Sequence, residues 1–143
     1  MKYFLTISVI VIFCACQPKA QEINYGSDAC HFCKMTIVDK QHASQLVTSK
    51  GKAYVFDSVE CMIHYRQISS PETFLFTLVS DYTQPGILIP AEISTFLITP
   101  DIPSPMGANL SAFESRSAAM KLVDERSGEL FTWTEIQKKL ANQ

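Results

Sequence analysis

The side chains with the most chemistry to offer are three sulfurs within six positions, in Cys30-His31-Phe32-Cys33-Lys34-Met35, and a fourth, Met106, in a proline-rich loop far along the chain. Thiolate and thioether are soft donors, and soft donors select Cu(I) over hard cations. If Lys34 to Val38 is a strand, Cys33 and Met35 project from one face, because strand side chains alternate. Zn(II) takes Cys, His and carboxylate, and Met is not among its usual ligands. Cys33 is the expected thiolate anchor, and Cys30 the additional or alternative thiolate. Met106 stands between Pro105 and Gly107 outside any periodic apolar stripe, so it is a candidate to close the site from the second half. The pair Cys30-x-x-Cys33 alone fits a redox disulfide, a structural disulfide or a metal clamp equally well. Cys61 reads as a small buried hydrophobe on its helix, and His31, His42 and His64 as surface or satisfied polar groups. No Ser-His-Asp arrangement, paired-carboxylate motif or Gly-rich phosphate loop is legible.

These side chains need a scaffold. With 143 residues, 47% hydrophobic and 18% charged, the chain can form one compact domain or two very small halves sharing a core. A net charge of -2 with no basic block excludes nucleic acid as an expected partner. Residues 1–16 read as a signal peptide: Met1-Lys2, an apolar run from Tyr3 to Phe13, then Phe13-Cys14-Ala15-Cys16. That last tetrad is like a lipobox, with Cys16 as the lipidated residue and a membrane anchor as the result. Residues 17–28 are polar and read as a flexible tether. The mature chain then holds three thiols, Cys30, Cys33 and Cys61, an odd number that a purely disulfide framework does not use up.

Residues 29–141 form the expected domain. Strands are predicted at Lys34 to Val38, Ala43 to Ser49 and Ala53 to Phe56, followed by a helix capped by Asp57 and Glu60 and a strand from Thr73 to Val79. The same order recurs: a short apolar segment Gly86 to Ile89, a strand Glu92 to Thr99, a helix capped by Ser111 and Glu114, a strand Glu129 to Phe131, and a last helix capped by Thr132 and Glu135. The expected fold class is α+β: two small tandem ββαβ-like halves, about 29–83 and 84–141, packed together, with a C-terminal helix.

The order of motifs adds a resemblance. The lipobox, Cys-x-x-Cys-x-Met-x-Ile, Ala43-Ser44-Gln45, Phe56-Asp57-Ser58 opening a helix, and Pro105-Met106-Gly107-Ala108 followed by Ala112-Phe113 together resemble the NosL family, copper lipoproteins accessory to nitrous oxide reductase. The resemblance implies a Cu(I) metallochaperone, not an enzyme, anchored in the bacterial envelope and facing the periplasm. It implies apo nitrous oxide reductase and an ABC-type maturation complex as partners. Gln17 after the lipidated Cys lacks an inner-membrane retention cue, which favours the outer membrane. Carried over, the family's Cys-x-Met pair falls on Cys33 and Met35, and its Met-Gly element on Met106 and Gly107. Lys34 stands where relatives often have Gly. Two rival readings stay open: a thiol–disulfide redox lipoprotein using Cys30 and Cys33, and a structural-zinc module using Cys30, Cys33, Cys61 and a His.

Overall fold

The computed structural model describes residues 17–69, 73–125 and 127–141. Residues 1–16, read above as a signal peptide and lipobox with Cys14 and Cys16, lie outside the described residues. Among the described residues the fold is mixed, with two antiparallel sheets and three α-helices. The first sheet comprises β1 (Ser44–Thr48), β2 (Ala53–Phe56), β3 (Phe74–Ser80) and β4 (Leu88–Pro90) in the order β2-β1-β3-β4. The second comprises β5 (Thr95–Ile98), β6 (Leu110–Phe113) and β7 (Glu129–Phe131) in the order β6-β5-β7. Helix α1 (Val59–Ile68) follows β2, α2 (Arg116–Glu125) follows β6, and α3 (Trp133–Ala141) closes the chain. The ββαβ order therefore recurs, as expected, with β4 added to the first sheet.

Four elements differ from expectation. Glu92 to Thr99 is not one strand: Ala91–Ile93 is a short 3-10 turn, and the strand is β5, from Thr95. Lys34 to Val38 is a loop: its only ladder contact is a bridge between Ala29 and Thr36. Lys34 adopts φ 67°, which turns the chain back on itself, and a strand cannot pass through that conformation. Helix α1 is capped by Ser58, whose hydroxyl accepts from the Cys61 N–H at 3.2 Å. That shift of one residue frees Asp57 and Glu60 for other partners. Ser111 to Phe113 forms strand β6 rather than a helix start, and Ser115 does the capping, accepting from the Ala118 N–H at 3.2 Å. By contrast, Thr132 and Glu135 cap α3 reciprocally: the Thr132 N–H and hydroxyl donate to Glu135 Oε2 at 2.7 and 2.8 Å.

The two sheets share one core. Leu46, Phe56 and Val79 of the first sheet pack in a common cluster with Phe96, Leu110 and Ala112 of the second and with Trp133, Ile136 and Leu140 of α3. Leu97, Ile102, Phe113 and Ala119 make a smaller cluster under α2. The segment expected to be a tether is laid down on the first sheet from Gln21 onward. Gln21 and Gln45 exchange amide hydrogen bonds at 2.8 and 2.9 Å, and Ile23 is buried. Where β7 begins, the backbone comes close to β5: a Cβ at Gly128 would lie 2.7 Å from Leu97 Cδ1 and 3.1 Å from the Ile98 carbonyl oxygen. Because the second contact is backbone, Gly128→Ala is expected to cost about 1–3 kcal/mol in urea unfolding; an unchanged midpoint would show that the strands can part freely.

Candidate metal centre

The centre is assembled from a loop, a strand end and a helix. The loop from Asp28 to Ile37 closes by backbone bonds of its own: the Cys30 N–H donates to Met35 O at 2.8 Å, the Lys34 N–H to Cys30 O at 3.0 Å, and the Ile37 N–H to Asp28 O at 2.9 Å. His31 fastens it to the free edge of β2, its N–H donating to Val55 O at 2.9 Å and its Nδ1 accepting from the Val55 N–H at 3.3 Å. This pairing places Cys30 and Cys33 against Asp57, the residue after β2, and against Cys61 in the first turn of α1. One donor atom from each of Cys30, Cys33, Asp57 and Cys61 can be chosen so that all four lie within 4.8 Å of one another.

Burial divides the cluster into a floor and a mouth. Cys30 and Cys61 are wholly buried, while Cys33 is half-buried and its thiol donates to Asp57 Oδ2 at 3.3 Å. The Asp57 Oδ1 atom is buried with no hydrogen-bond partner. An orphaned buried acceptor beside three thiols is costly unless something cationic satisfies it. The thiols are not equivalent. A hydrogen bond from Cys61, helped by the N–H groups of Asp57, Cys33 and Phe32, lowers Cys30 to about 6 against the opposing effect of burial. Burial raises Cys33 to about 11, and Cys30 and Asp57 add to the rise. Cys61 is raised too, chiefly because it donates to Cys30. The deprotonated sulfur at neutral pH is therefore that of Cys30.

The two methionines are exposed, unlike most of this cluster. Met35 is 54% exposed beyond the positive-φ Lys34, so it does not share a strand face with Cys33. Met106 is 41% exposed and lines a cavity of about 210 Å³ with Glu60, His64, Gly107, Ala108 and Leu140. That cavity opens on a neighbouring strip of α1, since Glu60 precedes Cys61 and His64 lies one turn on. Phe32, between the two loop cysteines, stacks on His64 with ring centroids 5.7 Å apart and planes 20° from parallel. The structure thus brings together Cys30 and Cys33, expected from spacing, with Asp57 and Cys61, which spacing assigned to capping and packing. The signal for Cys61 was the odd thiol left over by the pair.

The fold also makes a Ser-His-Asp array that is not legible in the sequence. His42 Nδ1 lies 2.6 Å from Asp39 Oδ2 and His42 Nε2 lies 3.0 Å from Ser111 Oγ. Ser111 has 0% exposure, so no substrate reaches its hydroxyl. The array ties the start of β1 to β6 and acts as a clasp between the sheets.

Comparison with known proteins agrees with this architecture. The NosL family model matches residues 22–141. The chain belongs to the NosL family. A solved relative in fold, the copper chaperone NosL from Shewanella denitrificans, superposes with a TM-score of 0.70 at 19% identity, over 82% of this chain and 94% of that one. No curated protein matches the chain. In this member of the NosL family the residue at position 34 is a lysine held at positive φ, a conformation that glycine adopts more readily.

Proposed function

We propose that this NosL protein binds Cu(I) at the Cys30–Cys33–Asp57–Cys61 cluster and surrenders it by ligand exchange to an exported copper enzyme. The observation that carries the reading is the convergence of three sulfurs and an orphaned carboxylate oxygen within 4.8 Å, with one sulfur at the mouth. Soft sulfur donors fit Cu(I). Cys30, already a thiolate, captures the metal, Cys33 and Cys61 follow as thiolates, and Met35 and Met106 supply thioether donors. An incoming thiolate or imidazole reaches the copper from the Cys33 side. The recipient in this reading is apo nitrous oxide reductase, working with an ABC-type maturation complex. Cys16 is the lipid anchor that keeps the domain at the periplasmic face of the envelope, in the outer membrane.

The test is a Cu(I) titration of the reduced domain against a competing chelator, run across pH. Cys33 keeps its proton up to about 11, so copper must displace it at neutral pH. Raising the pH therefore favours binding, by roughly tenfold per unit for each proton displaced. Tight binding with that slope is the expected result. Weak or pH-independent binding would place the metal elsewhere.

A second reading has one observation in its favour: three Cys and a carboxylate, in place of the His expected, make four donors of kinds that Zn(II) takes. Zn(II) displaced from the loaded protein by stoichiometric Cu(I) decides for copper. The redox reading has less support, because Cys30 and Cys33 lie in a loop ahead of β1 and not at a helix N-terminus.

A further inference from the structure

Met106 sits at the third position of a tight turn, Ser104-Pro105-Met106-Gly107. The turn is closed by the Gly107 N–H donating to Ser104 O at 3.0 Å, with Pro at the second position and Gly at φ 81° in the fourth. The placement of the turn depends on what holds its first residue. The Ser104 hydroxyl is buried and donates to Glu60 Oε1. Glu60 is 2% exposed, its other oxygen has no hydrogen-bond partner, and it is the residue immediately before Cys61. A buried carboxylate is an expensive way to fill space even with the Ser104 hydroxyl and the Ser58 side chain beside it, since apolar packing there costs less.

We propose that Glu60 and Ser104 form a latch that fixes the Met106 turn of the second half against the helix carrying Cys61, so that thioether and thiol reach one copper ion. The inference rests on the reading of Met106 as a copper ligand. Glu60 is a positioning residue: it acts through Ser104 and needs only an acceptor oxygen, so glutamine can replace it.

The experiment combines Cu(I) affinity by chelator competition, sulfur coordination by X-ray absorption, and backbone relaxation of Met106 and Gly107 in the metal-free protein. The proteins are wild type, Met106→Ala, Ser104→Ala, Glu60→Ala, Glu60→Gln and the Met106→Ala/Ser104→Ala double variant. Met106→Ala and Ser104→Ala are each expected to weaken binding about tenfold, the scale of lost supporting partners around a metal. Their double variant should lose no more than either alone. Ser104→Ala and Glu60→Ala should lose the long sulfur contact and mobilise the turn, while Glu60→Gln keeps both. If Met106→Ala binds like wild type, the ligand reading itself falls and the latch with it. If Met106→Ala weakens binding and Ser104→Ala does not, the latch alone is overturned. Equal losses in Glu60→Gln and Glu60→Ala would make the carboxylate a direct ligand and also overturn it.

Discussion

Replacing Cys30 by serine should abolish tight Cu(I) binding while leaving the metal-free domain folded. Cys30 is the sulfur to which the others donate: the Cys61 thiol and the N–H groups of Phe32, Cys33 and Asp57 all favour its charged form. Serine keeps the size and the loop's backbone bonds but offers a hard, neutral hydroxyl where copper needs a soft anion. The loss should exceed the roughly 100-fold ceiling seen when only a supporting partner is removed. Chelator competition measures the affinity and a thermal melt checks the fold. A Cys30→Ser protein that binds within a few-fold of wild type would move the anchor to Cys33, the residue that the family resemblance favours.

The second large effect concerns the shared core. Phe96 lies on β5 yet packs with the first sheet's cluster, fully buried, its ring 5.6 Å from that of Trp133. Truncation to alanine removes a ring that belongs to both halves and should cost about 3–5 kcal/mol. Against a typical total of about 5–15 kcal/mol, that is a large share. The midpoint of thermal unfolding should fall by about 10 °C or more. Urea unfolding should still show a single transition, reported alike by Trp133 fluorescence and by far-ultraviolet dichroism. Two separate transitions would mean that the halves are stable on their own, against the single core described above.

Much of the scaffold was legible because local signals agreed with the fold. Thr132 and Glu135 cap a helix that has an apolar stripe, and Ala53 to Phe56 alternates on a sheet edge. Ser111 and Glu114 show the same spacing and misled, because Leu110 to Phe113 is buried throughout and carries no alternation to contradict a helix. The site was legible only where the chain carries it locally, at Cys30 and Cys33. Asp57 looked like a cap because a true cap, Ser58, stands next to it. Cys61 looked like packing because its helix face is apolar, and only the loop's return onto β2 turns that face into a ligand. That return depends on the left-handed Lys34, which no residue type announces unless it is glycine.

The docked N-terminal segment has a directional outcome. Gln21 Nε2 donates to Gly51 O at 3.2 Å, so the chain enters the domain beside the hairpin bend between β1 and β2. Asp57 and the sulfurs lie at the other end of β2, about 13 Å away for four residues of strand. Because Gln21 to Gly26 is held on the sheet, the domain cannot swivel freely about its leading end. A protein tied down through the residues before position 17 would stand like a post, its thiol cluster at the end away from the attachment.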